Sequence, residues 1–276
     1  MLKFTDIDFN AVWQETFGWN ATAATDDRKF NDQVESDFWV QLAPRYTQEY
    51  NLNHDTGLIA AKLASFLGQD KTILEIGCGS GNFTLLMAQY SRQILGLDFS
   101  PAMLQALQQR LNTSEYKNIT LQPGKWEDFA TPTTFDYIVS VNSLYRIRDI
   151  KDALLKMHTY STQGFIIVRT IQRPFFYSLY QKNNLPCHEC LDYQLLPLLL
   201  WRLSLSANVE FLDYPKTKHF VDLDAVQQEM RSDLGDAAFA AASKQLLAAF
   251  TAQAQNSQDG LAITQPRTTV IISVQK

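Results

Sequence analysis

The stretch from Ile73 to Thr84, ILEIGCGSGNFT, constrains this chain more than any other. An apolar run with an acid, Glu75, inside it is followed by glycine at 77, 79 and 81. Glycine reaches positive φ without a Cβ penalty and lets another group come close to the backbone. A strand that ends in such a turn and feeds a helix is the opening unit of a doubly wound sheet. In that architecture ligands lie beyond the carboxyl ends of the strands.

The rest of the chain carries the alternation such a sheet requires. After the first strand at 72–76, QILGLD (93–98), NITLQ (118–122), FDYIVSVN (135–142) and GFIIVRTI (164–171) read as strands two to five. NVEFLDY (208–214) and TTVIISVQ (268–275) read as strands six and seven. Helical stretches separate them: NFTLLMAQYS, SPAMLQALQQRLN, DIKDALLKMHTYS, and residues 222–233 and 237–255. Ser100 and Pro101 stand where an N-cap and the first helical position belong. Alternating strands and helices predict a mainly parallel sheet covered on both faces. The runs YIVSV and GFIIV fit strands buried on both sides.

Two segments fall outside this alternation. Residues 1–70 read as a helical, aromatic-rich cap, with a stripe of Phe38, Trp39, Leu42, Tyr46 and Tyr50 that Pro44 should interrupt. Residues 172–207 are too long for an ordinary strand–helix connection, and their prolines, cysteines and aromatics predict an insertion over one end of the sheet. The expected organisation is one domain over 1–276: a cap or lid at 1–70, and a core at 71–276 carrying the 172–207 insertion.

Composition bounds the partners. Of 276 residues, 46% are apolar and 19% charged, the balance of a soluble globular protein with a full core. Twenty-nine acids against 24 bases give a net charge of -5, which disfavours nucleic acid as a partner. The opening MLKFTDIDFN has no signal-peptide pattern. The longest apolar run, Leu195 to Trp201, is broken by Pro197 and too short to span a bilayer. Three cysteines without secretion predict reduced thiols and a cytoplasmic location. Oligomeric state is not legible.

The glycine spacing narrows the ligand. A dinucleotide turn is G-x-G-x-x-G, so its third glycine would fall at position 82. Asn82 stands there, which argues against an NAD-dependent oxidoreductase. A glycine-packed turn without the pyrophosphate-cradling geometry suits a nucleoside that carries no phosphate. Asp98, at the end of the second strand, can accept both hydroxyls of a ribose.

ILEIGCGSGNFT, LGLDFSPAML and FDYIVSVNSLYRI resemble the first, second and fourth motifs of class I S-adenosylmethionine-dependent methyltransferases. The resemblance covers about residues 70–171 and, more loosely, the remainder. FWVQLAPRYTQEYN is similar to the aromatic N-terminal helix of small-molecule members. The resemblance implies a Rossmann-like α/β fold with a seven-stranded sheet, order 3-2-1-4-5-7-6, strand 7 antiparallel. It implies S-adenosylmethionine as cofactor, with Gly77, Gly79 and Gly81 facing its methionine and ribose portion and Cys78 in the same turn. Glu75 would support the amino-acid end, Asp98 hold the ribose, Phe99 lie beside the adenine, and Asn142 meet the amino group through its backbone. Tyr46 would touch the cofactor from the cap. Where the family has Gly-Asp this chain has Gly124-Lys125, so the Trp126 backbone and Glu127 or Asp128 stand in for the adenine contact.

The reaction implied is methyl transfer to a small-molecule acceptor, because VNSLYR lacks the Asn/Asp-Pro-Pro-aromatic signature of enzymes that methylate amino groups of flipped bases. The rival is a non-catalytic S-adenosylmethionine-binding module. No residue is assigned as a catalytic base; His54 and His188 are candidates on the acceptor side. Cys187, His188 and Cys190 look like half a zinc site, but four ligands are needed and the only other cysteine is Cys78, so no metal is expected. Trp39, Tyr46 and Tyr50 are expected to meet Phe175, Phe176, Tyr177 and Tyr193 above Gly79 and Asn142, enclosing an acceptor pocket.

Overall fold

The computed structural model describes residues 3–19, 28–49, 54–185, 190–258 and 260–276, and only the backbone of 45–49 and 54–55. The chain divides into two compact units. The first comprises Met1–Arg169, Asp192–Glu210 and Val270–Lys276; the second comprises Thr170–Leu191 and Phe211–Thr269. The 172–207 stretch, read from sequence as one insertion, is therefore divided between them.

The elements in chain order are α1 (Phe9–Thr16), α2 (Asp32–Glu49), α3 (His54–Leu67), β1 (Thr72–Ile76), α4 (Thr84–Ala88), β2 (Gln93–Asp98), α5 (Pro101–Asn112), β3 (Ile119–Pro123), β4 (Phe135–Val141), α6 (Ile150–Tyr160) and β5 (Ser161–Thr170). After them come α7 (Tyr177–Lys182), α8 (Asp192–Arg202), β6 (Ala207–Phe220), α9 (Leu223–Leu234), α10 (Asp236–Thr251), β7 (Gln255–Ser257) and β8 (Gly260–Gln275). Ser100 caps α5 by accepting the Met103 N–H, with Pro101 at the first turn. Helix α2 continues through Pro44, which the sequence pattern predicts as an interruption. The proline removes one backbone donor, but the helix extends on both sides of it.

The strands lie in the order β3-β2-β1-β4-β5-β8-β6, with β7 paired to β8. Pairings β2–β3, β1–β2, β1–β4 and β4–β5 are parallel. Strand β8 runs antiparallel to β5: the Ile171 N–H donates to Thr268 O at one end, and the Lys276 N–H to Gln163 O at the other. With β6 and β8 as the sixth and seventh strands, this is the expected order and the expected antiparallel strand. The short polar β7 is the addition, and residues 255–257, QNS, offer no apolar alternation to reveal it.

Ile73, Leu74, Ile94, Ile138, Val139, Phe165 and Ile167 are fully buried, as strands covered on both faces require. Each such side chain contributes about 1.5–3 kcal/mol. The parallel register levels the carboxyl ends of β1, β2 and β4, so Ile76, Asp98 and Val141 open onto one edge of the sheet. In the second unit, Phe175, Phe176, Tyr180, Phe220, Phe239 and Phe250 form a core of their own. The expectation that Phe175 and Phe176 line an acceptor pocket is corrected here. Phe176 has no exposure, and its ring stacks on Phe220 with centroids 5.7 Å apart. Among the described residues, no helix is long and apolar enough to cross a membrane.

Candidate active site

The turn after β1 is fastened to β2: Gly77 and Cys78 donate their N–H groups to Leu97 O at 2.7 and 3.2 Å. Two of its glycines are required by packing. A Cβ on Gly77 would stand 2.2 Å from Ser143 Cβ, and one on Gly81 would stand 2.2 Å from Leu107 Cδ1. Gly79 differs. It has φ +54, and among the described residues nothing lies within 4 Å of where its Cβ would be. The turn therefore leaves open space above Gly79 alone, as a cradle for a ligand would.

Asp98 closes this cradle from β2. Its Oδ2 accepts the Gly79 N–H and its Oδ1 the Ser100 N–H, both at 2.8 Å. Burial pushes its carboxyl above the ordinary range; these two N–H groups oppose that, and the charge of Glu35 adds to it. Glu75 lies beneath the turn with 1% exposure and accepts a 2.5 Å bond from Thr84 Oγ1. Burial pushes its carboxyl up to about 8, with Thr84 opposing and Asp98 adding. On the other side, Ser143 donates to Ile76 O at 2.6 Å and bonds Ser140 Oγ at 2.7 Å, tying the loop after β4 to the end of β1. Asn142 takes φ +55, and its N–H donates to Val168 O at 3.0 Å.

The structure thus gathers Glu75, Gly77, Gly79, Gly81, Asp98 and Asn142 at one sheet edge. Cys78 belongs to the turn through its backbone only. Its thiol is buried with Leu104, Leu107 and Leu111, and burial, then Asp98 and Glu75, push its pKa well up. Phe99 follows Asp98, its ring centroid 5.4 Å from the Arg146 guanidinium carbon. Trp126 is turned inward: its Nε1 donates to Ala153 O at 3.2 Å, and its ring stacks on Phe129. The Trp126 and Glu127 carbonyls accept from Lys156 Nζ at 2.6 and 3.0 Å. The side chains of Tyr46 and His54 lie outside the described residues, as do Tyr50, Cys187 and His188. No cluster of metal-ligating side chains occurs among the described residues. A cavity of about 500 Å³ lies beside β2 and β3, lined by Leu97, Gly124, Lys125 and Asp128 among others; neither Gly79 nor Asn142 lines it.

Sequence reasoning missed the contribution of α2. Glu35 is fully buried there. It accepts hydrogen bonds from Arg28 Nε at 2.6 Å, Trp39 Nε1 at 2.8 Å and Tyr145 Oη at 2.7 Å. Burial raises its pKa, but these three donors outweigh that and hold the carboxyl below its ordinary value. Tyr145 is pushed up in turn, by burial and by Glu35. One turn earlier, Asp32 pairs with Arg146 at 3.0 Å and with Lys125. Helix α1 adds two contacts, Trp13 Nε1 to Ile147 O and Gln14 Nε2 to Asp149 Oδ1, both at 2.8 Å. The available signal was the spacing of Asp32, Glu35 and Trp39, which places them on one helix face. Their partners at 125 and 145–146 are about a hundred residues away, beyond any local pattern.

A family model described as a methyltransferase domain matches residues 67–231. An uncharacterised methyltransferase from Staphylococcus carnosus is 30% identical over 99 residues, 35% of this chain and 45% of that protein. The mitochondrial ubiquinone biosynthesis O-methyltransferase of Schizosaccharomyces pombe is 28% identical over 106 residues, 37% of this chain and 39% of that protein. The chain thus spans less than half the length of these curated relatives. Among solved structures, the magnesium protoporphyrin IX methyltransferase of Synechocystis with bound SAH is similar at TM-score 0.53 and 10% identity, covering 91% of this chain and 100% of that one. At that identity the likeness is one of fold.

Proposed function

The chain belongs to the methyltransferase domain family, and on that premise we propose that it is a class I S-adenosylmethionine-dependent methyltransferase acting on a small molecule. The observation that carries the reading is the Gly79–Asp98 pair. A backbone cradle with open space above it among the described residues adjoins a half-buried acid at the end of β2, which fits a nucleoside whose ribose binds the acid. When bound, S-adenosylmethionine supplies an electrophilic methyl group on a sulfonium. The turn of Gly77, Gly79 and Gly81 would hold it, with the open space at Gly79; Asp98 would take the ribose hydroxyls, Phe99 would flank the adenine, Asn142 would serve the amino-acid end, and Glu75 would support that end from beneath the turn. Trp126 offers only backbone there, because its indole is buried against α6.

The protein's contribution to the rate is orientation and exclusion of water. The N-terminal helices cover the strand ends through Glu35–Tyr145, Asp32–Arg146 and Trp13–Ile147. A base is required only where the acceptor must lose a proton, and none is assigned. The acidic balance of the chain and the name of the ubiquinone-pathway relative support a small-molecule acceptor over nucleic acid.

Thermal unfolding with S-adenosylmethionine, S-adenosylhomocysteine and NAD tests the reading. A ligand at a hundredfold its Kd adds about 2.7 kcal/mol. Either adenosyl compound should raise the melting temperature, and Asp98→Ala should weaken that binding at least tenfold, since each charged hydrogen bond contributes about 1.5–3 kcal/mol. A shift with NAD and none with either adenosyl compound would overturn it.

A further inference from the structure

Glu35 is the buried acid for which methyl transfer as described above has no use. Its position is fixed by contacts that its helix makes with the segments following two strands, β3 and β4. It accepts from Tyr145, which follows β4. One turn earlier on the same helix, Asp32 binds Arg146, also beyond β4, and Lys125, beyond β3. In the order β3-β2-β1-β4, strands β2 and β1 lie between those anchors. This turn of α2 therefore crosses the ends of β2 and β1, where Asp98 and the glycine turn lie. The charge of Glu35 reaches Asp98, as expected of a carboxylate placed over that edge.

The negative charge of Glu35 is retained. Trp39 and Tyr145 are neutral donors to Oε1, and they stabilise the carboxylate without cancelling it. Arg28 pairs with Oε2, but its side chain is 38% exposed against 0% for Glu35, so water screens the cation more than the acid. Of the other guanidinium groups at this edge, Arg146 is paired with Asp32, and Arg110 donates to Ser80 O and Asn82 Oδ1 of the glycine turn at 2.7 and 2.8 Å.

We propose that Glu35 reads the charge of the cofactor, favouring the sulfonium of the methyl donor over the neutral thioether of the product. The inference rests on the methyltransferase reading. It makes Glu35 a specificity-determining residue contributed by the N-terminal helices.

The test is calorimetric titration of the full chain with S-adenosylmethionine and S-adenosylhomocysteine. Glu35→Gln should weaken the donor about tenfold, which is 1.4 kcal/mol, and the product less than twofold. Equal weakening of both would reduce Glu35 to a structural tie and overturn the proposal, as would no change in either. Tyr145→Phe keeps the charge and should keep the donor-to-product ratio. Should Glu35→Gln not fold, Arg28→Gln removes the counter-ion and should raise the preference for the donor; an unchanged preference would overturn the proposal. Failure of the wild-type chain to bind either compound counts instead against the methyltransferase reading.

Discussion

Arg169 and Asp192 form an ion pair in which both side chains are 1% exposed, and they are the last residue of the first unit before the chain leaves it and the first after it returns. The pair closes the excursion of residues 170–191 at its base. Among the described residues, Arg169 Nε and Nη1 have no hydrogen-bond partner. Removing one member strands a buried charge, which costs about 3–5 kcal/mol, whereas replacing both with apolar groups can be neutral. Arg169→Met and Asp192→Leu should each lower the stability of the chain by that order in urea unfolding. The double variant should lose far less than the sum. Additive losses would show that the pair is not acting as a unit.

The three glycines of the first turn separate two requirements. Gly77→Ala drives a methyl group to 2.2 Å from Ser143 Cβ at a position with φ +70, so the loop after β4 must move. Gly79→Ala meets nothing among the described residues and carries the left-handed backbone penalty of about 1–2 kcal/mol. The expected result is that Gly77→Ala loses stability without ligand, by thermal unfolding. Gly79→Ala should stay folded but lose S-adenosylhomocysteine binding, read by calorimetry. If Gly79→Ala binds normally, the open space above that residue is not where the cofactor lies.

Glu75 gives the ligand-free protein a pH signature. Its carboxyl moves from 4.5 to about 8 on folding because of burial, so between those values the folded chain binds a proton that the unfolded chain does not. Stability from this group therefore falls as pH rises from about 4.5 to about 8. Asp98, also raised, acts in the same direction. Glu75→Gln should flatten the profile across that window in denaturant unfolding at several pH values. A Glu75→Gln profile parallel to that of the wild type over the same range would contradict the raised value.

What was legible in the sequence followed from periodicity and from turns. Strands β1, β4 and β5 were visible as apolar runs because both of their faces are buried, and the ends of β1 and β2 were marked by Gly77 and Asp98. The start of β5 was set at Gly164, whereas it begins at Ser161, because STQ carries no apolar signal. The site was readable where it depends on the turn itself. It was not readable where a side chain's direction decides its role: the Cys78 thiol and the Trp126 indole both face the core, and local sequence does not distinguish the two sides of a loop. Glu35 was hidden for a different reason, since an acid on an amphipathic helix reads as solvated unless its distant partners are known.

The first unit contains residues 270–276 as part of β8, seated between β5 and β6 in the sheet. That arrangement has a consequence for biosynthesis. During translation, the segment that holds β1 to β5 emerges about a hundred residues before the strand that pairs with β5. Until β8 arrives, β5 presents an unpaired, Ile- and Val-rich edge, the kind of edge that recruits other chains. The nascent chain therefore passes through an interval in which its parallel core is made but unshielded, and long-range pairing of this kind closes slowly.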